Sequence, residues 1–190
     1  MRAVIFDMDG TLTKPYLDFN AIRAEMGLAR EPILEAMERM SPQERAHADA
    51  VLIRHEAEAA EHSELNDGAT ETVRRLEQAG ILTALLTRNS RASVATTLAK
   101  HALTFDSIYA REDGPLKPSP VPVTTLCERL GVPPSDTLMV GDYLFDIQAG
   151  KAAGAHTALV IHDGSLPEYA DQAEHILRQL QEVLPICGVD

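Results

Sequence analysis

Residues 3–12 read Ala3-Val4-Ile5-Phe6-Asp7-Met8-Asp9-Gly10-Thr11-Leu12. Four apolar residues without alternation predict a short strand buried on both faces, as in a parallel sheet. The two acids that follow then stand at the strand's C-terminal end, where parallel sheets place their ligand sites. One residue apart, they are able to divide labour. Asp7 would attack as a nucleophile, and Asp9 would give a proton to a leaving oxygen and then activate water. The plain alternative for this triplet alone is an Asx-turn closed by Gly10.

Outward from this strand, further apolar runs at Leu82–Leu86, Ser107–Tyr109, Thr137–Val140 and Thr157–Ile161 read as strands of the same buried kind. Helical patterns lie between them at about residues 70–79, 90–100, 121–130 and 146–153. Gly80 and Gly131 serve as stops, and Ser90 and Asp146 as candidate N-caps. In Ser119-Pro120-Val121-Pro122 the prolines fall in a helix's first turn, where a missing N–H has no partner to lose. Strand and helix in alternation predict an α/β fold with a doubly wound parallel sheet. Residues 14–66 break the alternation, being rich in Ala, Glu, Arg and Met with helical spacing at Ile22–Met26 and Ile33–Met37 and a new start at Ser41-Pro42. They read as a small all-helical cap inserted into a core made of residues 1–13 and 67–190. Asp163-Gly164 and the tail 172–184 read as structural.

The 190 residues are 45% hydrophobic, enough to bury one core, and carry 29 acids against 17 bases for a formal charge of -12. Such a surface repels nucleic acid and anionic lipid, and there is no basic run to bind either. An anionic substrate must therefore find local positive charge. Cys127 and Cys187 have no partnering histidine spacing, which argues against a disulfide framework or a zinc site. With only four apolar residues ahead of Asp7 and no run near the ~20 residues of a membrane span, the expectation is a cytoplasmic protein.

Three further segments carry polar groups at strand ends. Leu86-Thr87-Arg88-Asn89-Ser90 presents the Thr87 hydroxyl and the following amides, those of Arg88 and Asn89, where helix N-termini bind phosphate; the alternative is an ordinary cap. Gly114-Pro115-Leu116-Lys117-Pro118 holds one lysine in a stiff loop, otherwise a solvated side chain. Gly141-Asp142-Tyr143-Leu144-Phe145-Asp146 adds two more acids. Mg²⁺ takes oxygen ligands, usually one or two carboxylates with phosphate and water, so Asp7 and Asp142 with a backbone carbonyl suffice, Asp146 standing behind them or capping the next helix.

In this order the four segments resemble the four motifs of the haloacid dehalogenase-like superfamily, over nearly the whole chain. The resemblance implies a Rossmann-like core and a Mg²⁺-dependent phosphatase acting on a small phosphorylated metabolite through an aspartyl-phosphate. It assigns Asp7 as nucleophile and Asp9 as general acid/base. Thr87 and Lys117 hold the phosphoryl group, and Asp7, the Asp9 carbonyl and Asp142 bind metal with Asp146 in support. It also implies a helical cap directly after the first motif. The chemistry suits the demand: phosphate-monoester hydrolysis needs up to ~10²¹-fold acceleration, and one acid/base supplies ~10²–10⁴.

Asp9 argues against the dehalogenases and phosphonatases, which lack the second acid. Thr13-Lys14-Pro15 departs from the apolar-Asp-Ser/Thr continuation of phosphoglycolate-type phosphatases. A mutase of the β-phosphoglucomutase type shares both acids but has a longer cap, and a receiver-like phosphoacceptor domain has no cap. In the cap, His47, His55 and His62 share a helix face yet stand too far apart to share a metal. Lys14, Arg23 and Arg54 are candidates for a substrate's anionic tail, against plain surface charge.

Overall fold

A computed structural model of the chain describes residues 1–162 and 164–190; Asp163 of the Asp163-Gly164 pair lies outside the described residues. The chain order is β1 (Ala3–Phe6), α1 (Phe19–Met26), α2 (Ile33–Met37), α3 (Pro42–His62), α4 (Ala69–Gln78), β2 (Leu82–Leu86) and α5 (Arg91–His101). It continues with β3 (Ser107–Tyr109), α6 (Val121–Leu130), β4 (Thr137–Gly141), α7 (Leu144–Ala153), β5 (His156–Val160), β6 (His175–Leu177) and α8 (Val183–Ile186). The strands form one parallel sheet in the order β3-β2-β1-β4-β5-β6. This is the doubly wound α/β fold that the unalternated apolar runs predict. Every residue of β1 is fully buried, with one apolar cluster on each sheet face. Strand order reverses between β1 and β4, the switch point outside which such sheets bind ligands.

Register brings the polar strand ends together. Phe6 pairs with Leu85 on one side and Val140 on the other, and the Asp7 amide donates to the Val140 carbonyl at 2.9 Å. Asp7, Thr87 and Asp142 therefore leave three adjacent strands along one edge.

Helices α1 to α3 lie between β1 and α4 and bury a small core of their own, Ile22, Ile33, Met37, Ala48, Val51 and Leu52. Complete burial of a side chain such as Ile22 contributes ~1.5–3 kcal/mol. Helix α3 opens with a capping box, Ser41 with Glu44. Its C-terminal half turns Glu56, Ala59 and Ala60 inward, and the Ser93 hydroxyl of α5 donates to the Glu56 carbonyl at 3.2 Å.

Two local expectations change. Asp146 is not the N-cap of α7: the helix begins earlier, after Tyr143, and Asp146 in its first turn reaches back to accept from the Tyr143 amide at 3.1 Å. A carboxylate three residues into a helix satisfies the same orphan donors as a cap. The tail supplies an edge strand, β6, too short and too polar in its surroundings to show a strand period.

Candidate active site

Lys117, 3% exposed, organises the floor of the site. Its Nζ donates to Asp7 Oδ1 at 2.6 Å, Asp146 Oδ1 at 2.6 Å and the Leu86 carbonyl at 3.1 Å. Three protons meet three acceptors, so the ammonium is fully satisfied out of water. Burial alone would lower its pKa, but Asp146 and Asp7 outweigh it and hold Lys117 above its ordinary value.

The acids are crowded. Burial raises Asp7 well above the ordinary range, Lys117 opposes the rise, and Asp146 and Asp142 add to it. Burial and the neighbouring Asp146 push Asp142 to about 7. Asp9 rises to about 6, mainly by burial, against the hydrogen bond from Asn89. That bond runs from Asn89 Nδ2 to Asp9 Oδ2 at 2.5 Å, leaving a carboxyl group poised near neutrality, as general acid/base work requires.

Two glycines make room for these carboxylates. Gly10 has φ +80°, and a Cβ there would lie 2.2 Å from Asp142 Oδ2. At Gly141 a Cβ would lie 2.2 Å from Asp146 Cγ. The loop 8–13 is tightened by the Leu12 and Thr13 amides, both 2.9 Å from the Met8 carbonyl. Asn66 Nδ2 clamps it further, donating to the Thr11 and Thr13 carbonyls at 2.7 and 3.1 Å.

Oxygens of Asp7, Asp142 and Asp146 lie within 4.8 Å of one another. With three carboxylates around one ammonium, the site has an excess of negative charge that a phosphate would only worsen. Its donors are all hard oxygens, which fits Mg²⁺. Both oxygens of Asp146 already have partners, Lys117 and the Tyr143 amide, so Asp7 and Asp142 have the freer oxygens.

The Thr87–Ser90 loop is arranged differently from a bare anion cradle. The Asn89 amide donates to Thr87 Oγ1 at 3.1 Å, and the Ser90 amide to Glu56 at 3.1 Å. Of the amides expected to meet phosphate, that of Arg88 alone has no acceptor among the described residues. The Arg88 side chain spans to the insertion, with Nη2 2.8 Å from both oxygens of Glu35 and the guanidinium 5.0 Å over the Phe145 ring.

Several residues here carried no sequence signal. Glu56, 2% exposed, pairs from α3 with Arg111, whose backbone amide donates to the Asn89 carbonyl at 3.0 Å. His162 Nε2 meets the Gly10 carbonyl. An acid in an Ala- and Glu-rich helix and a histidine past a strand both look solvated in sequence. Of the residues suspected of meeting an anionic tail, Lys14 pairs with Glu64 and Arg54 with Glu25. Arg23 lines the cavity above Asp7. None of His47, His55 and His62 does; His55 meets Glu25 and His62 stacks on Tyr16.

Residues 18–154 match the family model described as haloacid dehalogenase-like hydrolase. A haloacid dehalogenase-like hydrolase domain-containing protein of Arabidopsis thaliana is 33% identical over 86% of this chain and 72% of its own length. The pyrophosphatase PpaX of Halalkalibacterium halodurans is 28% identical over 100% and 98%. The N-acetylmuramic acid 6-phosphate phosphatase of Pseudomonas putida is 31% identical over 88% and 86%. Among solved structures, a hydrolase from Pseudomonas syringae superposes with TM-score 0.84 at 16% identity, covering 97% of each chain. A chain from Thermotoga maritima described as a β-phosphoglucomutase gives TM-score 0.73 at 23% identity, covering 99% of each.

Proposed function

The chain belongs to the haloacid dehalogenase-like hydrolases and is a phosphatase, and from that premise we propose that it hydrolyses a small phosphorylated metabolite with Asp7 as nucleophile, Asp9 as acid/base and Mg²⁺ as cofactor. The observation that carries this is the pair of differently served acids at the end of β1, Asp7 on Lys117 and Asp9 on Asn89. An oxygen of Asp7 attacks phosphorus as the bond to the leaving oxygen breaks, and that oxygen takes the proton of Asp9. Water then gives a proton to the Asp9 carboxylate, attacks phosphorus and breaks its bond to Asp7, restoring both acids. Lys117 orients Asp7 and opposes the rise in its pKa that burial causes, while the Thr87 hydroxyl and the Arg88 amide are the donors available to the phosphoryl oxygens. Asp7 and Asp142, with the Asp9 carbonyl, would hold the metal, which supplies charge neutralisation for carboxylates and phosphoryl group alike. Residues 14–66 would act as a cap over the site. The names of the relatives, with pyrophosphate and N-acetylmuramic acid 6-phosphate as substrates, support the class of compound. Two buried free thiols suit a reducing, cytoplasmic setting.

Phosphate release from a panel of phosphorylated metabolites tests this reading. Turnover is expected with Mg²⁺, to be lost in excess EDTA and in Asp7→Asn. Undiminished turnover in EDTA would sink the mechanism, and isomerisation of a sugar phosphate without phosphate release would make the protein a mutase.

A further inference from the structure

The cavity over Asp7 has a volume of about 570 Å³, within the range of small-molecule sites and with room beyond a single phosphoryl group. Its charge is unevenly distributed. On the floor, Lys117 is balanced between Asp7 and Asp146. The insertion, residues 14–66, carries six Lys and Arg residues. Four of them face a carboxylate, Lys14 with Glu64, Arg39 with Glu31, Arg45 with Asp49 and Arg54 with Glu25. The remaining two, Arg23 and Arg30, have no anionic partner among the described residues, Arg23 donating only to the neutral Asn20 at 2.8 Å. These two are also the ones that line the cavity. In a chain of charge -12, where carboxylates are plentiful, two guanidinium groups left unneutralised beside one cavity leave charge for an anionic ligand to meet. Seven large hydrophobic side chains are exposed among the described residues, and three of them, Tyr16, Phe19 and Tyr143, line this same cavity. Aromatic faces at a cavity's open edge suit the uncharged body of a ligand.

We infer that the substrate is a phosphate monoester whose leaving group carries a second anion, a carboxylate or another phosphate, held by Arg23 and Arg30 while its uncharged body lies against Tyr16, Phe19 and Tyr143. The inference rests on the reading of Asp7 as the acceptor of the phosphoryl group.

The test uses ω-substituted alkyl phosphates of three to six carbons, ending in carboxylate, phosphate or neutral carboxamide, with p-nitrophenyl phosphate as a tail-free probe and Mg²⁺ present. With the wild-type chain, kcat/KM for the best anionic tail is expected to exceed that for its carboxamide about tenfold, the advantage shrinking with added salt. The larger of the carboxylate and phosphate ratios identifies the anion. In Arg23→Ala/Arg30→Ala the ratio of anionic to neutral tail falls toward one, whatever the absolute rate. The exposed position of Arg30 makes Arg30→Glu a safe second variant, and its ratio is expected to fall below that of the wild type. A wild-type ratio near one, or a ratio unchanged in both variants, overturns the inference while p-nitrophenyl phosphate turnover leaves the phosphatase reading standing. No phosphate release from any ester, p-nitrophenyl phosphate included, overturns both.

Discussion

At the residue scale, the site is decided by how each acid is served. Asp9 is raised to about 6, above the ~3.9 of an unfolded chain. A group raised in this way contributes stability that is fully present below the unfolded value and is lost as pH rises through about 6. Asp9→Asn, which does not ionise, is therefore expected to gain stability relative to the wild type between pH 4 and pH 8, measured by thermal melting at each pH. The same variant should lose ~10²–10⁴ in kcat on alkyl phosphates and less on p-nitrophenyl phosphate, whose leaving group needs little protonation. Lys117 is the opposite case. Lys117→Met leaves Asp7 and Asp146 buried without their cation, a loss of ~3–5 kcal/mol that corresponds to a Tm drop of about 10 °C. Because protonation relieves unpaired carboxylates, that drop should be smaller at pH 5 than at pH 8. That Asp7, Asp9 and Asp142 follow strand ends and that Lys117 stands in a proline-flanked loop was legible in the sequence. Their partners were not.

At the scale of elements, α3 ties the insertion to the loop that carries Thr87 and Asn89. Glu56 meets Arg111 and the Ser90 amide, and Arg111 in turn meets the Asn89 carbonyl through its own amide. Truncating Glu56 to Ala leaves Arg111 and a helix N-terminus without their anion, and is expected to destabilise the chain by ~3–5 kcal/mol in urea titration. Glu56→Gln should cost less, because the amide oxygen still accepts. The start of α7 depends on a close approach, so Gly141→Ala forces Asp146 off Lys117. Melting temperature and metal affinity should both fall in that variant. The long stretch 42–62 reads as a helix from its Ser41 cap and its composition. Which of its faces meets α5 is not readable, because its alanines and the run Val51-Leu52-Ile53 are spread around the helix and the buried acid Glu56 interrupts the apolar stripe that would mark the contact.

At the scale of the whole molecule, the sheet order collects charge from distant parts of the chain into one edge. Asp142, raised to about 7, must lose a proton before it binds a cation. Added Mg²⁺ should therefore raise Tm more at pH 8 than at pH 5.5, with a gain of ~2.7 kcal/mol at one hundred times Kd, and a pH-independent shift would place the ion elsewhere. The sequence by itself determined the β1 to β5 strands, the helical character of the stretch between β1 and β2, and the polar segments at the strand ends, because apolar periodicity, caps and strand ends are properties of neighbours along the chain. Tertiary structure alone decided that Arg88 reaches Glu35 across 53 residues, that Glu56 meets Arg111 across 55, that His162 meets Gly10 across 152, and that Arg23 and Arg30 have no anionic partner among the described residues. Such pairings follow from which helix faces pack once the sheet register is set, and no period in the sequence encodes them.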